Sequence, residues 1–139
     1  MDFELSDEQL AFRETARQFA LKEWLPHASG WDAREEFPEE ALRKAAALGF
    51  AGIYVKDQFG GSGLTRLDAT IIFEELAAAC VSTAAYLSIH NMAAWMIDRF
   101  GGDEMRRRWR PAPAATATTM FSTARRRSSP AGAAATSMS

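Results

Sequence analysis

Ser88, His90 and Asn91 are the residues of this chain whose types could do chemistry from an unexpected place. They sit in the middle of TAAYLSIHNMAAWMIDRFGG, residues 83–102, a stretch that is otherwise apolar on nearly every side. A buried polar group left without a partner costs about 1–3 kcal/mol. Such side chains therefore either bond within a core or border a cavity that receives a ligand. The rest of the inventory is sparse. Cys80 is the lone cysteine, lies in the apolar run LAAACV, and reads as a small hydrophobe. His27 follows Pro26 in an expected bend and is read as exposed. No Cys/His cluster has metal-ligand spacing, and there is no His-Glu-x-x-His and no nucleophile elbow, so no metal is expected. The acid pairs Glu35–Glu36, Glu39–Glu40 and Glu74–Glu75 point to different helix faces and read as solvated charge. FGGSGL is glycine-rich but lacks the spacing of a dinucleotide fingerprint, and no Lys-Ser/Thr pair follows it. A turn needing positive φ is the better reading.

The elements that must position these residues are helices. Ser6 and Gln9 fit a capping box, with Asp7 and Glu8 where the helix dipole favours acids. Phe12, Ala16, Phe19, Ala20 and Glu23/Trp24 then follow a 3.6-residue stripe until Pro26 ends or bends the helix. A short helical turn in HASGWDAREEF would carry Trp31 inward. Pro38 opens a further helix with Leu42, Ala45, Ala46 and Leu48 inside and Gly49 as its left-handed cap. FAGIYVKDQFGG alternates enough to predict a strand or strand-like loop. LDATIIFEELAAAC sets Leu67, Ile71, Ile72, Phe73 and Leu76 on a broad buried face. Val81-Ser82-Thr83 is a break with Ser82 as its cap. The helix that follows runs to Phe100 and stops at Gly101-Gly102, with a stripe of Ala85, Ile89, Met92, Ala93, Met96 and Phe100 flanked by Leu87, Ala94 and Trp95. A helix this apolar is expected at the centre of its domain. DEMRRRW makes a last short helix.

Composition narrows the class. The chain has 139 residues, 47% hydrophobic, with a formal net charge of −2, which gives no reason to expect nucleic-acid binding. Residues 1–109 carry all 18 acidic side chains and 12 of the 16 basic ones; residues 110–139 carry four arginines and no acid. That last stretch is rich in Ala, Ser, Thr and Pro, with no helical or strand period, and is expected to be disordered. No run of about 18 apolar residues is present, so no membrane span is expected. MDFELSDEQL is acidic without a basic n-region or apolar core, and a cytoplasmic location is expected.

Taken in order, LSDEQLAFRETARQFA, FPEEALRKAAALGFAGIYV, FGGSGL followed by IIFEELA, and STAAYLSIHNMAAWMIDRFG resemble the N-terminal helical domain of the flavin-dependent acyl-CoA dehydrogenases, over residues 3 to about 109. Within that family they resemble the isobutyryl-CoA branch, which acts on short branched acyl thioesters from valine breakdown. The resemblance implies an all-α fold, an orthogonal or up-down bundle over 1–109, with the tail at 110–139 outside it. It implies FAD as cofactor, an electron-transferring flavoprotein as redox partner and a homotetramer. It also implies that a glutamate removes the acyl α-proton while a hydride leaves to the flavin. That glutamate and most flavin contacts belong to later domains, so no catalytic or cofactor-binding residue is expected here and the chain alone is expected to be inactive. Leu87, Ser88, His90 and Asn91 correspond to a segment that helps wall the acyl pocket. Family members continue past the RRW helix to a TEPG.GSD-like motif, where this chain has SSPAGAAATS; the tail's composition suits out-of-frame coding sequence. The alternative function is a stand-alone helical interaction module without catalysis.

Overall fold

The structure, a computed structural model, describes residues 4–109. The expected disorder and out-of-frame origin of 110–139 concern residues outside these. The described residues form the expected all-α domain: α1 (Asp7–Phe19), a π-helical turn (Ala20–Trp24), α2 (Ala28–Ala33), α3 (Glu39–Ala47), a 3-10 turn (Asp57–Phe59), α4 (Arg66–Ala79), α5 (Val81–Phe100) and α6 (Asp103–Arg108).

The capping box at α1 forms as expected. Gln9 N donates to Ser6 Oγ at 3.2 Å, and Ser6 N donates to Gln9 Oε1 at 3.1 Å. A second capping box, not anticipated from the sequence, opens α4, where Thr65 and Asp68 exchange the same pair of bonds. The two boxes are tied together, since Gln9 Nε2 donates to Asp68 Oδ1 at 3.1 Å. Further along, Arg17 pairs with Glu75 at 3.1 Å. Starts meet starts and later turns meet later turns, so α1 and α4 run parallel.

The stripe of α1 would drift off the core after Ala20 in a regular helix, bringing Glu23 inward. The π turn absorbs one extra residue, shown by Leu25 N bonding to Ala20 O five residues back. Trp24 is thereby fully buried. Glu23 is left at the rim, where Lys44 Nζ of α3 reaches it at 2.7 Å. The hydrogen bond from Lys44 holds the Glu23 carboxyl below the usual range, and the same bond raises the Lys44 ammonium. Phe19 meets both Trp24 and Phe50 edge-on at centroid distances of 5.7 Å, and these rings pack with Phe12, Ile53, Ile72 and Leu76 as the core.

Several expectations need correction. Pro38 stands one position before α3 rather than inside it, and Leu42, Ala46 and Leu48 are half-buried while Ala41 and Ala45 carry the core contact. Residues 50–61 form turns and the 3-10 segment, and no strand occurs among the described residues. Phe50, Ile53 and Val55 are buried there because the segment coils against the bundle; no neighbouring strand exists to reward extension. Leu67 lies outside, 58% exposed, because α4 buries only the side bearing Ala69, Ile72, Leu76 and Ala79, with Asp68 and Ile71. The helix break falls at Cys80, in extended conformation, and Ser82 is within the first turn of α5 without a capping bond.

The glycine loop behaves as a turn. Gly60 and Gly63 have φ of 88° and 63°, and Gly49 ends α3 at 89°. A Cβ on Gly61 would overlap the Val55 carbonyl, whereas one on Gly102 meets nothing within 4 Å. Gly61→Ala is therefore expected to destabilise by about 1–3 kcal/mol through overpacking, and Gly102→Ala to stay within about 0.5 kcal/mol of the parent. Urea unfolding of the two variants side by side checks this; equal midpoints would show that the loop gives way without strain.

Candidate functional site

α5 presents two faces of different chemistry. Its inner face carries Thr83, Ala84, Leu87, Asn91, Ala94 and Asp98. The stripe of Ile89, Met92, Met96 and Phe100 with Ala85 and Ala93 is exposed, and Phe100 is 74% open to solvent. The reason lies in residues 48–64, an irregular segment whose backbone groups need partners that an apolar helix face cannot supply. Asn91 supplies them. Its Oδ1 accepts from Ile53 N at 2.7 Å, and its Nδ2 donates to Phe50 O at 2.7 Å and to Leu87 O at 3.0 Å.

The four candidate pocket-wall residues are thus divided. Asn91 is completely buried and bonded within this domain, so its amide does not border a cavity. Ser88 is half-buried and donates to Ala85 O at 2.8 Å, one turn back on its own helix. His90 is exposed. Leu87 is a core residue whose edge, together with His90, Phe37, Leu42 and Tyr86, lines a shallow cavity of about 210 Å³ between α3 and α5. Phe37 and Tyr86 meet edge-on at 4.8 Å and separate this cavity from another of about 330 Å³ under Trp31, Cys80 and Thr83. Cys80 is half-buried, its Sγ 3.1 Å from Thr83 Oγ1. His27 is exposed as expected, beside Trp31.

The glycine loop does not form a phosphate cradle. Gly60, Gly61, Ser62, Gly63 and Leu64 donate their N–H groups to Asp57, Lys56, Gly52, Val55 and Ile53 carbonyls within the same segment. None of these five N–H groups is left to receive a pyrophosphate. Among the described residues no cluster of His, Cys, Asp or Glu could hold a metal, and no helix is long and apolar enough to cross a membrane.

What remains is a helical domain with one finished face and one large unfinished one. Residues 6–117 match the acyl-CoA dehydrogenase N-terminal domain. The chain belongs to the acyl-CoA dehydrogenase family. It is 55% identical over 107 residues to mitochondrial isobutyryl-CoA dehydrogenase of Bos taurus, and 50% identical over 107 residues to that of Dictyostelium discoideum. Each alignment covers 77% of this chain and 26% of the relative. The structure of butyryl-CoA dehydrogenase from Megasphaera elsdenii superposes with a TM-score of 0.72 at 27% identity, covering 88% of this chain and 32% of that one. The chain therefore spans about a quarter of the length of the curated relatives it matches. The inner face of α5 is this domain's own core, and the outer face is apolar and uncovered among the described residues.

The sequence marked one group of side chains as a stripe without fixing which side it faces, and missed the meeting of another. Ile89, Met92 and Met96 have the period of a core stripe, and only the position of Asn91 opposite them signals that the stripe faces out. Arg66 and Trp95 come together across two helices, and no local pattern marks that.

Proposed function

We propose that this chain supplies the N-terminal helical wall of the acyl pocket in an FAD-dependent dehydrogenase acting on short branched acyl-CoA thioesters, isobutyryl-CoA foremost. The observation that carries this is the 55% identity to isobutyryl-CoA dehydrogenase, joined to an exposed apolar face on the helix that bears Ser88 and His90. Isobutyryl is a small, branched, apolar group. Ile89 and Met92 would exclude water from it, while Leu87 and His90 close the side toward α3. FAD, the cofactor of the family, accepts the hydride from the acyl β-carbon when bound. The base that removes the α-proton and the groups that hold FAD belong, in this reading, to polypeptide outside this chain. So do the contacts that make a homotetramer and receive an electron-transferring flavoprotein.

The first test replaces the matched 107-residue portion of the bovine enzyme by the corresponding residues of this chain. The chimera is expected to oxidise isobutyryl-CoA and to prefer it to n-butyryl-CoA. A chimera that folds and binds FAD but oxidises neither thioester would overturn the pocket-wall reading. The 139-residue chain alone, given isobutyryl-CoA, FAD and an artificial electron acceptor, is expected to give no turnover; turnover there would overturn the assignment of the base to other polypeptide. Reading the coding DNA beyond codon 105 in all three frames is expected to show a flavin-binding β-domain resuming in another frame; no resumption in any frame would favour a stand-alone helical module instead.

A further inference from the structure

Arg66 is held in an unusual way. It stands at the first turn of α4, exposed, with its guanidinium carbon 4.8 Å from the centre of the Tyr54 ring and 4.5 Å from that of Trp95. The two rings come from different elements, the 50–56 segment and α5, and grip the cation from both. Among the described residues the guanidinium makes no hydrogen bond and no ion pair. The nearest acid in sequence, Asp68, is already engaged, accepting from Thr65 N, Thr65 Oγ1 and Gln9 Nε2. Stacking uses the faces of the guanidinium and leaves its N–H edges, which match a carboxylate in a two-point fork.

The stack is continuous with the apolar face of α5. Trp95 meets Phe100 edge-on at 5.9 Å. Phe100, Met96 and Leu67 are all exposed. A polypeptide that covers this face also covers Arg66. Burying a cation without a counter-ion is strongly unfavourable, so the covering surface must carry an anion at that point. Trp, Tyr and Arg are also the residue types that most often anchor protein interfaces. Residues 110–139 contain no acidic side chain, so they offer no side-chain carboxylate to Arg66.

We propose that the Tyr54–Arg66–Trp95 stack is a preformed receptor for a side-chain carboxylate on the polypeptide that covers the outer face of α5, namely the three quarters of a full-length family enzyme that this chain does not span. The inference rests on the reading that such polypeptide accompanies this chain, but not on the identity of the acyl group. The carboxylate forks onto the guanidinium edge, and the aromatic pair fixes the orientation before docking, so little side-chain freedom is lost.

The test has two arms. In the first, the 139-residue chain alone is titrated with hexanoate, a carboxylate on an apolar body, and followed by the NMR signals of the Arg66 Nε–H and the Trp95 indole. Saturable shifts in the millimolar range are expected, absent with hexanol, weaker with inorganic phosphate, and lost in Arg66→Met. No shift up to 100 mM, or tighter binding of phosphate, overturns the receptor. In the second, the chain is co-expressed with bovine isobutyryl-CoA dehydrogenase lacking its matched N-terminal portion. A complex is expected that Arg66→Met weakens at least tenfold and Arg66→Lys several-fold, while the melting temperature of the chain alone falls by no more than several degrees. Equal retention of parent and variants overturns the proposal. So does a homodimer of this chain that Arg66→Met dissociates, because the occupant is then a second copy. A positive hexanoate arm with no complex overturns the stated occupant and with it the reading that an enzyme remainder accompanies this chain; a negative hexanoate arm leaves that reading standing.

Discussion

Asn91→Ala is expected to lower the free energy of unfolding by about 2–6 kcal/mol. The side chain is wholly inside and makes three hydrogen bonds, at 2.7, 2.7 and 3.0 Å, to backbone groups of Ile53, Phe50 and Leu87. Truncation strands the Ile53 N–H and the Phe50 carbonyl away from water, and each such group costs about 1–3 kcal/mol. Domains of this kind have only about 5–15 kcal/mol to lose, so the variant forfeits a large share of the domain's stability. Asn91→Asp is a sharper variant, because it keeps the acceptor toward Ile53 but turns an oxygen toward two carbonyls. It is expected to be at least as harmful near neutral pH. Ser88→Ala, which removes only a bond to Ala85 O on the same helix, should stay within about 0.5 kcal/mol of the parent. Urea titration followed by helical circular dichroism measures all three. A loss below about 1 kcal/mol for Asn91→Ala would mean that residues 50–53 find other partners, and that the clamp is not what holds them.

Trp24→Ala should cost about 3–5 kcal/mol, as large aromatic deletions from a packed core do. The ring is fully buried at the π turn and lies edge-on to Phe19. Its indole Nε1–H is buried and finds no partner among the described residues. Trp24→Phe therefore combines a modest loss of volume with removal of an unsatisfied donor, two effects of opposite sign. The phenylalanine variant is expected to lie within about 1.5 kcal/mol of the parent, far from the alanine variant. Equal damage from both substitutions would show that the Nε1–H is satisfied in solution, by a water if by nothing else.

The two predictions bear on function through geometry. Asn91 ties the 50–53 segment to the inner face of α5, and Tyr54 follows that segment directly. Loss of the clamp frees Tyr54, one of the two rings that grip Arg66, and it frees α5 to rotate its outer stripe. The same residue that completes the core thus helps orient the outer face of α5.

Much of this was legible in the sequence by itself. The helices that begin at a strong cap or end at a glycine appear where local chemistry predicts: Ser6 with Gln9, Gly49, and Gly101 after Phe100. Local hydrogen bonds and left-handed φ are decided by a few neighbouring residues, so no tertiary information is needed. The family was legible for a related reason, since its motifs are ordered along the chain. Tertiary structure alone decided three things. One is the coil of residues 50–61, whose alternation suits a strand but which has no strand to pair with. Another is which side of α5 is core. Both sides are apolar, and the choice falls to the side with Asn91 because irregular backbone nearby needs its amide. The last is the meeting of Tyr54, Arg66 and Trp95, three residues scattered along the chain that only the packing of α4 and the 50–56 segment against α5 brings within reach of one another.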